Sequence, residues 1–255
     1  MTYEKWIAGI LKIISVTIFF LIAPFFLRSY LVSFFKDSID GYLISRVLFT
    51  IPYVYFLFKH LKNINYQPKT KFTFLDIVFF ISISLFFIDI IFINSKFYLG
   101  IKLYQSLIYL FDIFMSVLIE ELFFRGIYIY IFLFSFRLNN TFSIFMSSLL
   151  FSILHFFNLT NNHCFDQISG QVLFAYITGV FLGFLMIRYK NILIPILLHF
   201  QINLAFGGQL YLNKPIQICS YPSINDFTFF ILHYSILILV SIFILKLIFN
   251  KIKKI

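Results

Sequence analysis

Two adjacent carboxylates stand inside a long apolar run, Glu120-Glu121-Leu122-Phe123-Phe124-Arg125-Gly126. Glu121 and Arg125 are spaced i,i+4, so on a helix they share a face and can pair. Pairing relieves much of the cost of burying both charges. Glu120 is turned about 100° away from Glu121, one step of a 3.6-residue turn, and is free to face a different cavity. One basic partner for two acids leaves one carboxylate over. A desolvated carboxylate can act as a general base near neutral pH. The plainer alternative is a purely stabilising ion pair, which leaves the second acid unexplained.

Two further apolar runs carry polar groups. His155 follows Phe151 at i+4 in Phe151-Ser152-Ile153-Leu154-His155. Alone, such a histidine can snorkel to an interface or handle a proton. His199 and Asn203 are also i,i+4, so both side chains lie on one helical face, with Gln201 on another. An imidazole and an amide together can donate two hydrogen bonds to one developing negative charge. They can equally serve as hydrogen-bond glue between helices. Joined in one cavity, these groups would supply a base, a second proton-handling group and oxyanion donors. Those are the parts needed to attack an amide with water.

The surroundings explain why so few polar groups carry so much meaning. The chain has 255 residues, 61% hydrophobic and 12% charged, with mean hydropathy +0.96. A soluble domain carries about 25% charged residues. A soluble globular protein, a disordered chain and an acidic coat protein are therefore excluded, and an all-α, polytopic transmembrane helical bundle is expected. A span needs about 20 mostly apolar residues, which leaves room for about eight. The apolar runs place them at 6–28, 42–58, 73–94, 104–134, 141–158, 171–188, 191–207 and 227–249. The first run is too long for a signal-peptide core and lacks a small-residue cleavage site, so it reads as a retained span. The fourth is too long for one upright helix and should tilt, kink near Gly126, or continue along the interface towards Arg137. In the seventh, Asn191 can cap the start and Pro195 lies in the first turn. With no repeat or linker visible, residues 1–255 read as a single transmembrane domain, with 104–207 as the catalytic core helices.

The net charge of +10 comes from basic residues clustered between apolar runs, such as Lys59, Lys62, Lys69 and Lys71, and near the end, such as Lys251, Lys253 and Lys254. That pattern anchors loops beside anionic headgroups and points to membrane lipid, not nucleic acid, as the partner. The basic excess on one side of the spans puts both termini in the cytoplasm. Cys164 and Cys219 fall on the same outer side, either bridged or as two unpaired thiols, and neither belongs to a CxxC pair. Of the other ionisable groups in or near spans, Asp76 and His233 read as interfacial, whereas Asp89 and Asp112 are deep enough to pair across helices. Gly179 and Gly183 form a small-xxx-small pattern suited to close helix packing.

The three motifs, in this order, resemble the CPBP intramembrane proteases, the CAAX protease and bacteriocin-processing group also called the Abi family. They stand here as Glu120-Glu121-x-x-x-Arg125, Phe151-x-x-x-His155 and His199-x-x-x-Asn203. The resemblance runs from about 110 to 207, and the first three spans and the last match only as generic hydrophobic helices. It implies peptide-bond hydrolysis inside the membrane. Glu120 would activate water, and His155 would share the proton traffic. His199 and Asn203 would stabilise the oxyanion, while Glu121 and Arg125 would hold the helix and the first carboxylate in place. The metal is left open. Glu120, His155 and His199 form one candidate zinc set with water as fourth ligand, and a metal-free glutamate-activated site is the other, which an asparagine beside His199 favours. The substrate would be a membrane-associated peptide or a lipidated protein. A chain rich in Phe, Ile, Asn and Lys with four alanines has the bias of low-GC bacterial coding. It favours a bacterial plasma-membrane peptidase or self-immunity factor over CAAX-type processing of prenylated proteins. A non-enzymatic membrane immunity or binding protein is the competing class.

Overall fold

The computed structural model describes residues 3–18, positions within 47–59, and residues 74–94, 103–157 and 165–206. They are helical almost throughout, with no strand among them. In chain order the elements are α1 (Tyr3–Thr17), α2 (Phe74–Asn94), α3 (Leu103–Glu121), π1 (Leu122–Tyr128), π2 (Ile131–Ser135), α4 (Asn140–Leu154), α5 (Phe165–Tyr189) and α6 (Leu193–Phe206). Two of the helical stretches, Asn140–Phe157 and Ile168–Tyr189, are long and apolar enough to cross a membrane, and Leu193–Ala205 is a shorter apolar helix. The all-helical expectation holds for the described residues. The span at 227–249, the two cysteines and His233 lie outside them.

The long fourth run is where the expected geometry changes. It continues past Glu121 into π1 and then π2, where the chain bonds i to i+5. Phe123, Phe124, Tyr128 and Phe132 follow one another closely, and all are buried. The wider turn lets these rings stack edge to face, Phe123 on Phe124 at 5.1 Å and Phe124 on Phe151 of α4 at 5.1 Å. Gly126 gives room for Leu57, whose methyl carbon would lie 2.6 Å from a β-carbon there. The run ends at Arg137, which takes the left-handed conformation at φ 53°.

The caps follow the sequence. Asn139 accepts the Phe142 N–H at 2.8 Å to start α4, and Asn191 accepts the Leu193 N–H at 2.9 Å to start α6. Pro195 falls in the first turn of α6, as expected. Helices α4 and α5 pack closely because Gly179 lies against Ser148 and Gly183 against Ile144. Helix α6 is held between α2, α3 and α5. This arrangement carries the end of α3, the end of α4 and the middle of α6 towards one another.

Candidate active site

Glu121 has no exposed surface and Arg125 has 1%. Arg125 Nε lies 3.2 Å from Glu121 Oε2, so the i,i+4 pair read from the spacing is formed. The other oxygen, Oε1, lies 2.7 Å from His199 Nδ1 on α6. A carboxylate paired with arginine only accepts, so Nδ1–H donates to it. This turns the ring so that Nε2 faces Glu120, 3.7 Å from its Oε2. That separation is beyond a direct hydrogen bond. Glu120 is the more open acid, with its side chain 35% exposed.

The spacing left Glu120 free to face a different cavity from Glu121. In the structure both carboxylates lie towards one imidazole, Glu121 Oε1 at 2.7 Å from His199 Nδ1 and Glu120 Oε2 at 3.7 Å from Nε2. The rotation of about 100° between neighbours is absorbed because a ring about 2 Å across its nitrogens presents them in different directions.

Phe151, quoted in the sequence only as part of a motif, is the centre of the site. The Arg125 guanidinium lies over its ring at 4.5 Å, a favourable place for a cation. His155 meets the same ring edge-on at 4.9 Å, and His199 meets it at 5.7 Å. His155 is half-buried, at the C-cap of α4, with Nδ1 held 3.0 Å from the Phe151 carbonyl. Its Nε2 is thereby left for other contacts. The ring lies within electrostatic reach of Glu120, His199 and Arg125. Asn203 follows one turn after His199 on α6, half-buried, and makes no hydrogen bond to the other five among the described residues. Four of the six predicted side chains are therefore in direct mutual contact or linked by one ring, His155 joins them through Phe151, and Asn203 stands next along α6.

The remaining ionisable groups sort differently. Asp76, expected at an interface, is buried and bonded across helices, to Tyr189 at 2.5 Å and Arg188 at 3.3 Å. Gln201 bonds to Ser84 of α2 at 3.3 Å, on the side of α6 away from His199. Asp112 is half-buried and engaged, and the side chain of Asp89 lies outside the described residues. These contacts hold helices together. The sequence signal for the Asp76 contact was Arg188-Tyr189 at the end of a span, where a buried acid on a neighbouring helix finds both a cation and a hydroxyl.

A catalytic zinc takes three protein ligands. Among the described residues no three His, Cys, Asp or Glu side chains come together as a metal-holding group. Glu120 and His199 approach each other, and His155 does not complete the set. As placed, the residues do not fit the candidate zinc site of Glu120, His155 and His199.

The described chain is thus an apolar helical protein of membrane type, with Glu120 and Glu121 facing the His199 imidazole and with Arg125, His155 and His199 gathered around one phenylalanine. Residues 102–205, less than half of the chain, match the family model described as type II CAAX prenyl endopeptidase Rce1-like. All three motifs lie in that segment, and the match agrees with the resemblance to the CPBP proteases. The description is that of a protease family. The chain matches no curated protein and no solved structure.

Proposed function

We propose that this protein is an intramembrane endopeptidase that hydrolyses a peptide bond of a membrane-associated peptide or lipidated protein, using water activated by Glu120. The observation that carries the reading is the shared imidazole: His199 lies between Glu121 at 2.7 Å and Glu120 at 3.7 Å. A structural ion pair needs only Glu121 and Arg125. A second, partly exposed carboxylate facing the same ring is what a water-activating site requires.

In this mechanism Glu120 takes a proton from water while the water oxygen attacks the scissile carbonyl carbon. The oxyanion that forms is met by the Asn203 amide and by an N–H of His199 at Nε2, the nitrogen on the Glu120 side, while Nδ1–H stays on Glu121. Glu120 returns the proton to the leaving nitrogen as the C–N bond breaks, with His155 sharing the transfer. Glu121, Arg125 and Phe151 hold His199 in orientation. No step needs a metal. The chemistry falls within residues 104–207, and the whole chain is taken as one domain in a bacterial plasma membrane with both termini cytoplasmic.

Bacterial peptide processing or self-immunity suits the coding bias of the chain. The description of the matched family favours the second reading, CAAX-type processing of a prenylated C-terminus. Purified protein in lipid nanodiscs, given one fluorogenic CAAX peptide with and without a farnesyl group, separates the two. Cleavage of both supports a general peptidase, and cleavage of the farnesylated peptide alone supports the CAAX reading. Cleavage of either should disappear in Glu120→Gln. Full activity in that variant would reject the mechanism.

A further inference from the structure

The acid pair is aimed by the segment that follows it. Directly after Glu121 the chain enters π1, where each turn holds about one residue more than an α-turn. One extra residue rotates everything before it by about 100° relative to everything after it. The part before carries Glu120 and Glu121 towards His199. The segment itself carries Phe123, Phe124 and Tyr128 into the aromatic core.

A wide turn inside an apolar bundle needs its carbonyls satisfied from within. The Phe124 carbonyl, one residue before Arg125, accepts the Ile129 N–H at i+5. It also accepts the hydroxyl of Ser147 on α4 at 2.6 Å. Ser147 is 1% exposed. Its neighbours behave differently, since Ser148 gives its hydroxyl to Ile144 at 2.7 Å and Ser152 to Leu149 at 2.9 Å, both on their own helix. The Ser147 bond instead fastens α4, which carries Phe151 and His155, to the π-turn that sets the direction of the acids.

We propose that Ser147 is a positioning residue whose hydroxyl holds the π-register of Leu122–Tyr128 and thereby aims Glu120 and Glu121 at His199. This rests on the protease reading above and adds to it a residue that touches neither water nor substrate. The test compares Ser147→Ala, Ser147→Thr and Ser148→Ala in nanodiscs with the farnesylated peptide. Ser147→Ala should lower kcat about tenfold, the loss of one hydrogen bond's worth of alignment, with KM little changed. Ser147→Thr keeps the hydroxyl and should restore most of the rate, and Ser148→Ala should behave as wild type. Wild-type kcat in Ser147→Ala, no rescue by threonine, or an equal loss in Ser148→Ala would each overturn the assignment. If Ser147→Ala does not accumulate folded, Ser147→Cys, a weaker donor of similar size, should lose several-fold, and an unchanged rate overturns the proposal. The ¹⁵N shift of His199 Nδ1 reports the Glu121 contact directly and should move in Ser147→Ala. That readout does not depend on cleavage, so a failure of Ser147 is distinguishable from a failure of the protease reading.

Discussion

Glu121 has no exposed surface; one of its oxygens is hydrogen-bonded to an imidazole at 2.7 Å and the other lies at ion-pair distance, 3.2 Å, from a guanidinium. Removing it should therefore act twice. Glu121→Leu leaves Arg125 buried without its counter-charge, which costs about 3–5 kcal/mol, and frees the His199 ring. The paired change Glu121→Leu with Arg125→Met should regain much of that stability without regaining activity. Reversible unfolding in mixed micelles measures the first effect and peptide cleavage the second. Recovery of both together would show that the pair is only structural. Asn203→Ala should keep the fold and lower kcat by about 10²–10³, the scale of one oxyanion donor, with KM little altered. These six residues were legible in the sequence because ionisable groups are costly at membrane depth. The part played by Phe151 was not legible, because its spacing to His155 marks it as a helical neighbour and does not show, in a chain with 40 phenylalanines, that three polar groups meet at its ring.

Helix contacts decide whether those side chains arrive together. A β-carbon on Gly179 would lie 3.1 Å from Ser148 Cβ and 3.3 Å from its backbone Cα, and backbone gives way poorly. Gly179→Val should push α5 from α4 and cost about 1–3 kcal/mol by overpacking, seen as a lower midpoint in thermal unfolding. Activity should fall with it, since α4 carries Phe151 and His155. An unchanged midpoint would mean that the two helices do not pack through this glycine. The small-xxx-small spacing signalled this contact, and the caps at Asn191 and Pro195 could also be read directly from residue type. The π-segments could not. Helical periodicity is summed over many residues, and one inserted residue shifts its phase without weakening the apolar pattern that reveals it.

For the molecule as a whole, the prediction concerns the membrane. The protein should stay in the membrane pellet after alkaline carbonate washing and leave it only with detergent, as scarcity of charge and long apolar helices require. Tags on the two termini should be labelled from the same, cytoplasmic side, and labelling from opposite sides would remove one span from the expected eight. The sequence by itself determined the solvent, the helical class and the short list of polar residues able to do chemistry. Each of these follows from composition or local spacing, and the cost of burying charge makes the few exceptions informative. Tertiary structure alone decided that both acids face one imidazole, that Arg125, His155 and His199 meet at the Phe151 ring, and that Asp76 finds Tyr189. Those contacts join residues as far as 113 positions apart. Their distances depend on how helices pack and on where a single wide turn falls, and neither is encoded in any local window of the chain.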